Sequence, residues 1–191
     1  MDSSELISYK DLFPLVSFES VINLFKNQLD RKEDCNLSLL SICLGFVENV
    51  LCKNETPNEK SFPVLDFETV EELYKKFKSI VAIAETGLQQ PPNTKSKKKE
   101  EIRISKEPTR EKIKKISDVI WNSLLRSSYK DRAHLQSVYS YLTGNKLDSF
   151  GVALVTCCAC QILNYKDVHL ALSEDHVWIV FGKSGESSGY Y

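Results

Sequence analysis

Apolar residues recur three and four positions apart over most of the chain and switch to every second position near its end. Phe18, Val21, Ile22, Phe25 and Leu29 lie along one side of a helix, with Ser17 ahead of them as a plausible N-cap. Leu40, Cys43, Leu44, Val47 and Leu51 repeat the spacing. Leu39, Ile42, Phe46 and Val50 widen that arc, so this second helix is expected to be buried on most sides. Asp66 precedes a third run, Val70, Leu73, Tyr74, Phe77, Ile80, Val81 and Ala84, which Gly87 is expected to end. Thr109 opens a fourth helix, with Ile113, Ile116, Ile120 and Leu124 on its apolar face. A fifth is expected over about residues 131–142, carrying Leu135, Val138, Tyr139 and Leu142 and stopped by Gly144-Asn145. The sixth, from Ser149 to Leu163, is made of small and apolar residues and reads as the central buried helix.

The period then shortens. Val168, Leu170 and Leu172 alternate with His169 and Ala171, as in a strand. Ser173-Glu174-Asp175 forms a turn, and His176 to Phe181 reads as a second strand buried on both faces. The expected fold is mainly α with a small C-terminal antiparallel β element. A lone hairpin is marginal in water, and an uncovered apolar edge invites aggregation. A third strand should follow Gly182-Lys183-Ser184-Gly185. Glu186-Ser187-Ser188-Gly189-Tyr190-Tyr191 does not supply one, so the chain is expected to be part of a longer protein.

Charge divides the chain further. Residues 1–94 carry a net charge of −6, residues 95–115 a net +6 and the rest −1. The reading is a helical N-terminal domain (1–86), a basic linker or loop (87–108) and a C-terminal domain (109–191). The linker holds Lys95, Lys97, Lys98 and Lys99 and no aromatic residue, too little to order itself. Two readings fit it: a solvated loop, or a nuclear-import or phosphate-contacting patch with weak non-specific nucleic-acid contact. The overall net charge of −1 argues against a globally basic nucleic-acid coat. No stretch approaches the ~20 apolar residues of a membrane helix, so no membrane partner is expected. Met1-Asp2-Ser3-Ser4-Glu5 has no apolar core of a secretory signal. The six cysteines are therefore expected as reduced thiols in the cytosol or nucleus.

Buried helix, strand, then His176-Val177-Trp178 on a second strand is an order similar to that of transglutaminase-like cores, which are related to papain. Their nucleophilic Cys starts the helix, where the dipole and a His on a following strand lower its pKa. Here that position falls near Ser149, within Asp148-Ser149-Phe150-Gly151, and Cys157, Cys158 and Cys160 lie two to three turns deeper. The acid of the third strand is missing. The reading is an incomplete, catalytically dead core, with an acyl transferase or hydrolase as the alternative. Cys157-x-x-Cys160 matches a redox pair, but it sits mid-helix, where small buried residues explain it better. Cys35, Cys43 and Cys52 have no paired spacing for zinc, and neither metal nor cofactor is expected. His134 and His169 read as half-buried residues without a special role.

Longer strings carry a sharper resemblance. Leu12-Phe13-Pro14-Leu15, Leu44-Gly45-Phe46-Val47-Glu48, Ser117-Asp118-Val119-Ile120-Trp121-Asn122-Ser123-Leu124, Lys130-Asp131-Arg132-Ala133-His134 and above all Asp167 through His176 with Trp178 resemble the menin family. That resemblance implies a nuclear, non-catalytic scaffold of chromatin and transcription regulation. It also implies a helical N-terminal domain and a transglutaminase-like "thumb" that faces a helical "palm" across a deep pocket. The pocket would take a peptide of a mixed-lineage-leukaemia-type histone methyltransferase or of a Jun-family transcription factor. The matching thumb residues are Leu172, Ser173, Glu174, Asp175 and His176, with Ser149 and Phe150 on the floor. Where the family has a small hydroxyl residue after Ser149, this chain has Phe150. With the palm missing, affinity is expected to be impaired.

Overall fold

The computed structural model describes residues 4–31, 34–53, 62–89, 107–125 and 134–182. The basic cluster Lys95–Lys99, the expected start of the fifth helix at residue 131 and the chain beyond Gly182 lie outside them. The elements are α1 (Ser4–Ile7), a 3-10 turn (Lys10–Leu12), α2 (Phe18–Leu29), α3 (Leu37–Lys53), α4 (Phe67–Gln89), α5 (Arg110–Ser123), α6 (Val138–Gly144), α7 (Ser149–Ile162), β1 (Val168–Leu172) and β2 (Val177–Phe181). The mainly helical fold with an antiparallel hairpin at its C-terminal side is the one the periodicity implies.

Caps set the helix starts. The Ser17 hydroxyl accepts from Ser20 N at 3.2 Å, Asp66 Oδ1 from Thr69 N at 2.7 Å, and Thr109 Oγ1 from Lys112 N at 3.4 Å. Each satisfies one of the orphan N–H groups of a first turn. α6 begins later than the periodicity suggests. Ser137 and Ser140 form a reciprocal capping box, and Val138 N donates to Ser41 Oγ of α3 at 2.9 Å. Residues 134–137 therefore run outside the helix, and His134 adopts a left-handed φ of 62°. Asn145, also left-handed, closes α6 as expected. Gly87 does not end α4, which runs on to Gln89.

α2 turns a different face inward from the one its largest side chains mark. Val21, Leu24 and Gln28 are buried, while Phe18 and Leu29 are 65% and 72% exposed. The reason is polar. Gln28 Oε1 accepts the Asn36 N–H at 2.9 Å, Asn36 Oδ1 accepts Leu39 N at 2.9 Å, and Asn36 Nδ2 donates to Tyr74 Oη at 3.2 Å. This network caps α3 from inside and draws Gln28 into the core.

One core runs through both halves of the chain, joining Leu39, Ile42, Phe77 and Val81 to Ile113, Ile116, Tyr141, Val152 and Ile179. Hydrogen bonds cross the same seam. Gln161 of α7 accepts from Leu37 N at 3.0 Å and donates to the Cys35 carbonyl at 2.7 Å. Lys76 Nζ donates to the Leu142 carbonyl at 2.6 Å. α7 is almost wholly buried, as its composition implies. It covers one face of the hairpin, so β2 is not buried on both faces: Val177 and Ile179 are buried, Trp178 and Val180 only half so.

Candidate functional site

β1 and β2 are rich in β-branched and aromatic residues and pair in antiparallel register from Val168 with Phe181 to Leu172 with Val177. The four residues between them are polar, and they tie themselves together. Ser173 N donates to the His176 carbonyl at 2.8 Å, and the Ser173 hydroxyl accepts from His176 N at 3.2 Å while donating to Asp175 Oδ1 at 3.1 Å. The His176 ring stacks on Trp178, with centroids 5.9 Å apart and planes 19° from parallel. Leu172, Ser173, Glu174, Asp175 and His176 are all exposed. The turn thus offers two carboxylates and a braced imidazole to solvent, a set of acceptors suited to Lys and Arg side chains.

Ser149 and Phe150 sit apart from this turn, on the first two positions of α7. Asp148 caps the helix, its Oδ1 accepting from Gly151 N at 2.7 Å and its Oδ2 from Gln136 Nε2 at 3.1 Å. Ser149 is exposed, and Phe150 is half-buried against the core. Among the described residues no hydrogen bond or ring contact joins Ser149 or Phe150 to the turn.

A second concave feature was not foreseen. A cleft of about 950 Å³ lies between the Ser8–Tyr9 segment, the chain before α3 (Arg31, Asp34–Leu37), the end of α7 and β1. Its walls come from positions as far apart as Ser8 and Leu170, so no local pattern announces it. Arg31 donates to the Tyr9 hydroxyl, and its guanidinium lies 5.0 Å above the Tyr9 ring. His169, read from the sequence as half-buried, is exposed and lines this cleft. His134 is half-buried as expected, with Nδ1 2.9 Å from Glu48 Oε1.

The four buried thiols, Cys43, Cys157, Cys158 and Cys160, are poor nucleophiles. Cys157 donates to the Val168 carbonyl at 3.6 Å, and burial pushes its pKa from 9.0 up to about 11. Burial drives Cys43, Cys158 and Cys160 higher still, with the neighbouring thiols adding to it in the last two. All four folded values lie above the unfolded one. Their contribution to stability is therefore complete below pH 9 and is lost as pH rises above 9, the loss from Cys157 ending near 11 and that from the other three continuing beyond it. The urea midpoint is expected to fall across that window, and a flat midpoint there would contradict neutral buried thiols. Among the described residues, no three His, Cys, Asp or Glu side chains gather as a metal site, and no helix is long and apolar enough to cross a membrane.

Comparison with known proteins adds two findings. A family model described as Menin matches residues 5–189. The fold is similar to that in the crystal structure of menin that reveals the binding site for Mixed Lineage Leukemia (MLL) protein. The TM-score is 0.70 at 36% identity, over 93% of this chain and 38% of the other. The chain thus spans less than half the length of that protein.

Proposed function

The chain belongs to the menin family, and from that premise we propose that it forms one wall of a non-catalytic peptide-binding scaffold in nuclear transcription regulation. The contact surface is the turn Ser173–His176 with Leu172, and the ligand is a short basic peptide of the kind carried by MLL-type methyltransferases or Jun-family factors. What supports this reading is the turn itself, on a chain similar to a menin structure in which an MLL site was located. Ser173 braces Asp175 and the His176 backbone, while both carboxylates stay exposed. Pre-ordering lowers the entropy lost on binding. Buried, protonated thiols on α7 weigh against a cysteine nucleophile.

Titrating the ¹⁵N-labelled chain with the MLL segment that menin binds is expected to shift the amides of Ser173–His176 in fast exchange. A single wall buries little of a peptide, so binding should be weak. The double variant Glu174→Gln with Asp175→Asn should bind about five- to tenfold more weakly, since an exposed ion pair contributes about 0.2–1 kcal/mol. Unmoved turn amides at millimolar peptide, or equal affinity in the variant, would remove the basis for the proposal.

A further inference from the structure

Three consecutive residues of β1, Val168, His169 and Leu170, line the cleft together. Val168 and Leu170 lie on one face of the hairpin and His169 on the other, so what they share is the strand's edge. The register shows what that edge offers. Gly182 N donates to the Asp167 carbonyl at 3.1 Å, and Ser173 N to the His176 carbonyl at 2.8 Å. With the pairing between them, the two-residue repeat makes Asp167, His169, Ala171 and Ser173 the positions whose backbone groups turn towards β2. The N–H and C=O groups of Val168 and Leu170 therefore turn away from it. The Val168 carbonyl meets Cys157 Sγ. Among the described residues the Leu170 N–H and C=O meet no backbone partner. The edge is thus taken at the Val168 carbonyl and open at Leu170, and an open stretch of this kind is a template for another strand.

Charge selects the occupant. Lys166 and His169 stand on the β1 side of the cleft, where they can meet carboxylates. Arg31 is already engaged by Tyr9, and Asp34, on the wall before α3, is the one carboxylate in the lining among the described residues. The five residues of β1 span ~17 Å, and about 950 Å³ is room for a short extended segment but not for a helix with its side chains. We propose that this cleft binds an extended acidic peptide, which adds as a strand to the free edge of β1. Acids at alternate positions fall on the His169 side of the sheet, and the intervening residues meet the Leu170 side. This surface is separate from the Ser173–His176 turn and does not depend on what that turn binds.

The probe is acetyl-Glu-Thr-Glu-Val-Glu-Thr-amide, titrated into the ¹⁵N-labelled chain. Shifts at Val168–Leu170 and slowed hydrogen exchange of the Leu170 amide are expected. Methylating alternate peptide amides on the edge-facing side should weaken binding about tenfold. Lys166→Glu, an exposed substitution, should weaken it about fivefold. A peptide with Lys in place of Glu should not compete. Equal binding of the Glu and Lys peptides, indifference to amide methylation, or shifts confined to Ser173–His176 would each overturn the proposal. So would Leu170 protection without peptide that follows chain concentration, meaning a second copy on the edge. Protection lost on shortening the chain at Lys183 would overturn it too, by making the chain its own occupant.

Discussion

Phe77→Ala is expected to lower stability by about 3–5 kcal/mol, the range for deleting a buried phenyl ring. Phe77 has no exposed surface. It projects from α4 onto Tyr141 of α6, edge to face, with centroids 6.5 Å apart. Tyr141 cannot swing into the space left behind, because its hydroxyl is hydrogen-bonded to Ser123 Oγ at 2.8 Å. The loss is therefore a cavity as well as lost burial. For a chain this long the melting temperature should drop by about 10 °C. The substitution also tests whether the two halves are one cooperative unit. Phe77 lies in the N-terminal half, whereas both tryptophans, Trp121 and Trp178, lie in the C-terminal half. Far-UV circular dichroism and tryptophan fluorescence should shift together in urea. If fluorescence keeps its original midpoint while dichroism moves, the shared core described above is wrong.

The second large effect comes from adding one carbon. Gly45→Ala drives a Cβ into Ser137 Oγ and places it 2.6 Å from Ser137 Cβ and 2.8 Å from Tyr139 Cβ. Ser137 cannot rotate away freely, since its hydroxyl caps α6. Alanine would gain about 1 kcal/mol of helix propensity. Against this stand about 1–3 kcal/mol of overpacking and about 1 kcal/mol for the lost cap. A net loss of about 2 kcal/mol is expected, with α6 parting from α3. Gly87→Ala is the control. It lies in α4 with nothing within 4 Å of the added carbon, and should stabilise by about 0.5–1 kcal/mol. Were Gly45→Ala to stabilise as well, the close helix crossing could not exist as described.

Much of the fold was legible because its signals are local. A cap acts within four residues, and so does a helical repeat. Ser17, Asp66 and Thr109 therefore marked three helix starts, and the small apolar residues of α7 marked the buried helix. The Ser137–Ser140 box is just as local and was readable, but the apolar residues before it suggested a longer helix. The inward face of α2 was not readable. Hydrophobicity pointed to Phe18 and Leu29, and the structure instead buries Gln28, whose partner Asn36 lies 8 residues further on and itself donates to Tyr74, another 38 residues along.

The candidate site divides along the same line. The turn Ser173–His176 follows from alternation on either side of a polar tetrad, and its residues stood in the sequence as a group. The cleft beside β1 did not, because its walls are drawn from opposite ends of the chain. What the residues determine unaided is the type of the longer elements, the starts that a cap marks and the polarity of the turns, since these depend on neighbours within one helical turn or one strand pair. Which helix face is buried, why Gly45 has to be glycine and where β1 leaves an open edge were settled only by packing. These features depend on how distant segments share one interior, and no short stretch of sequence contains that information.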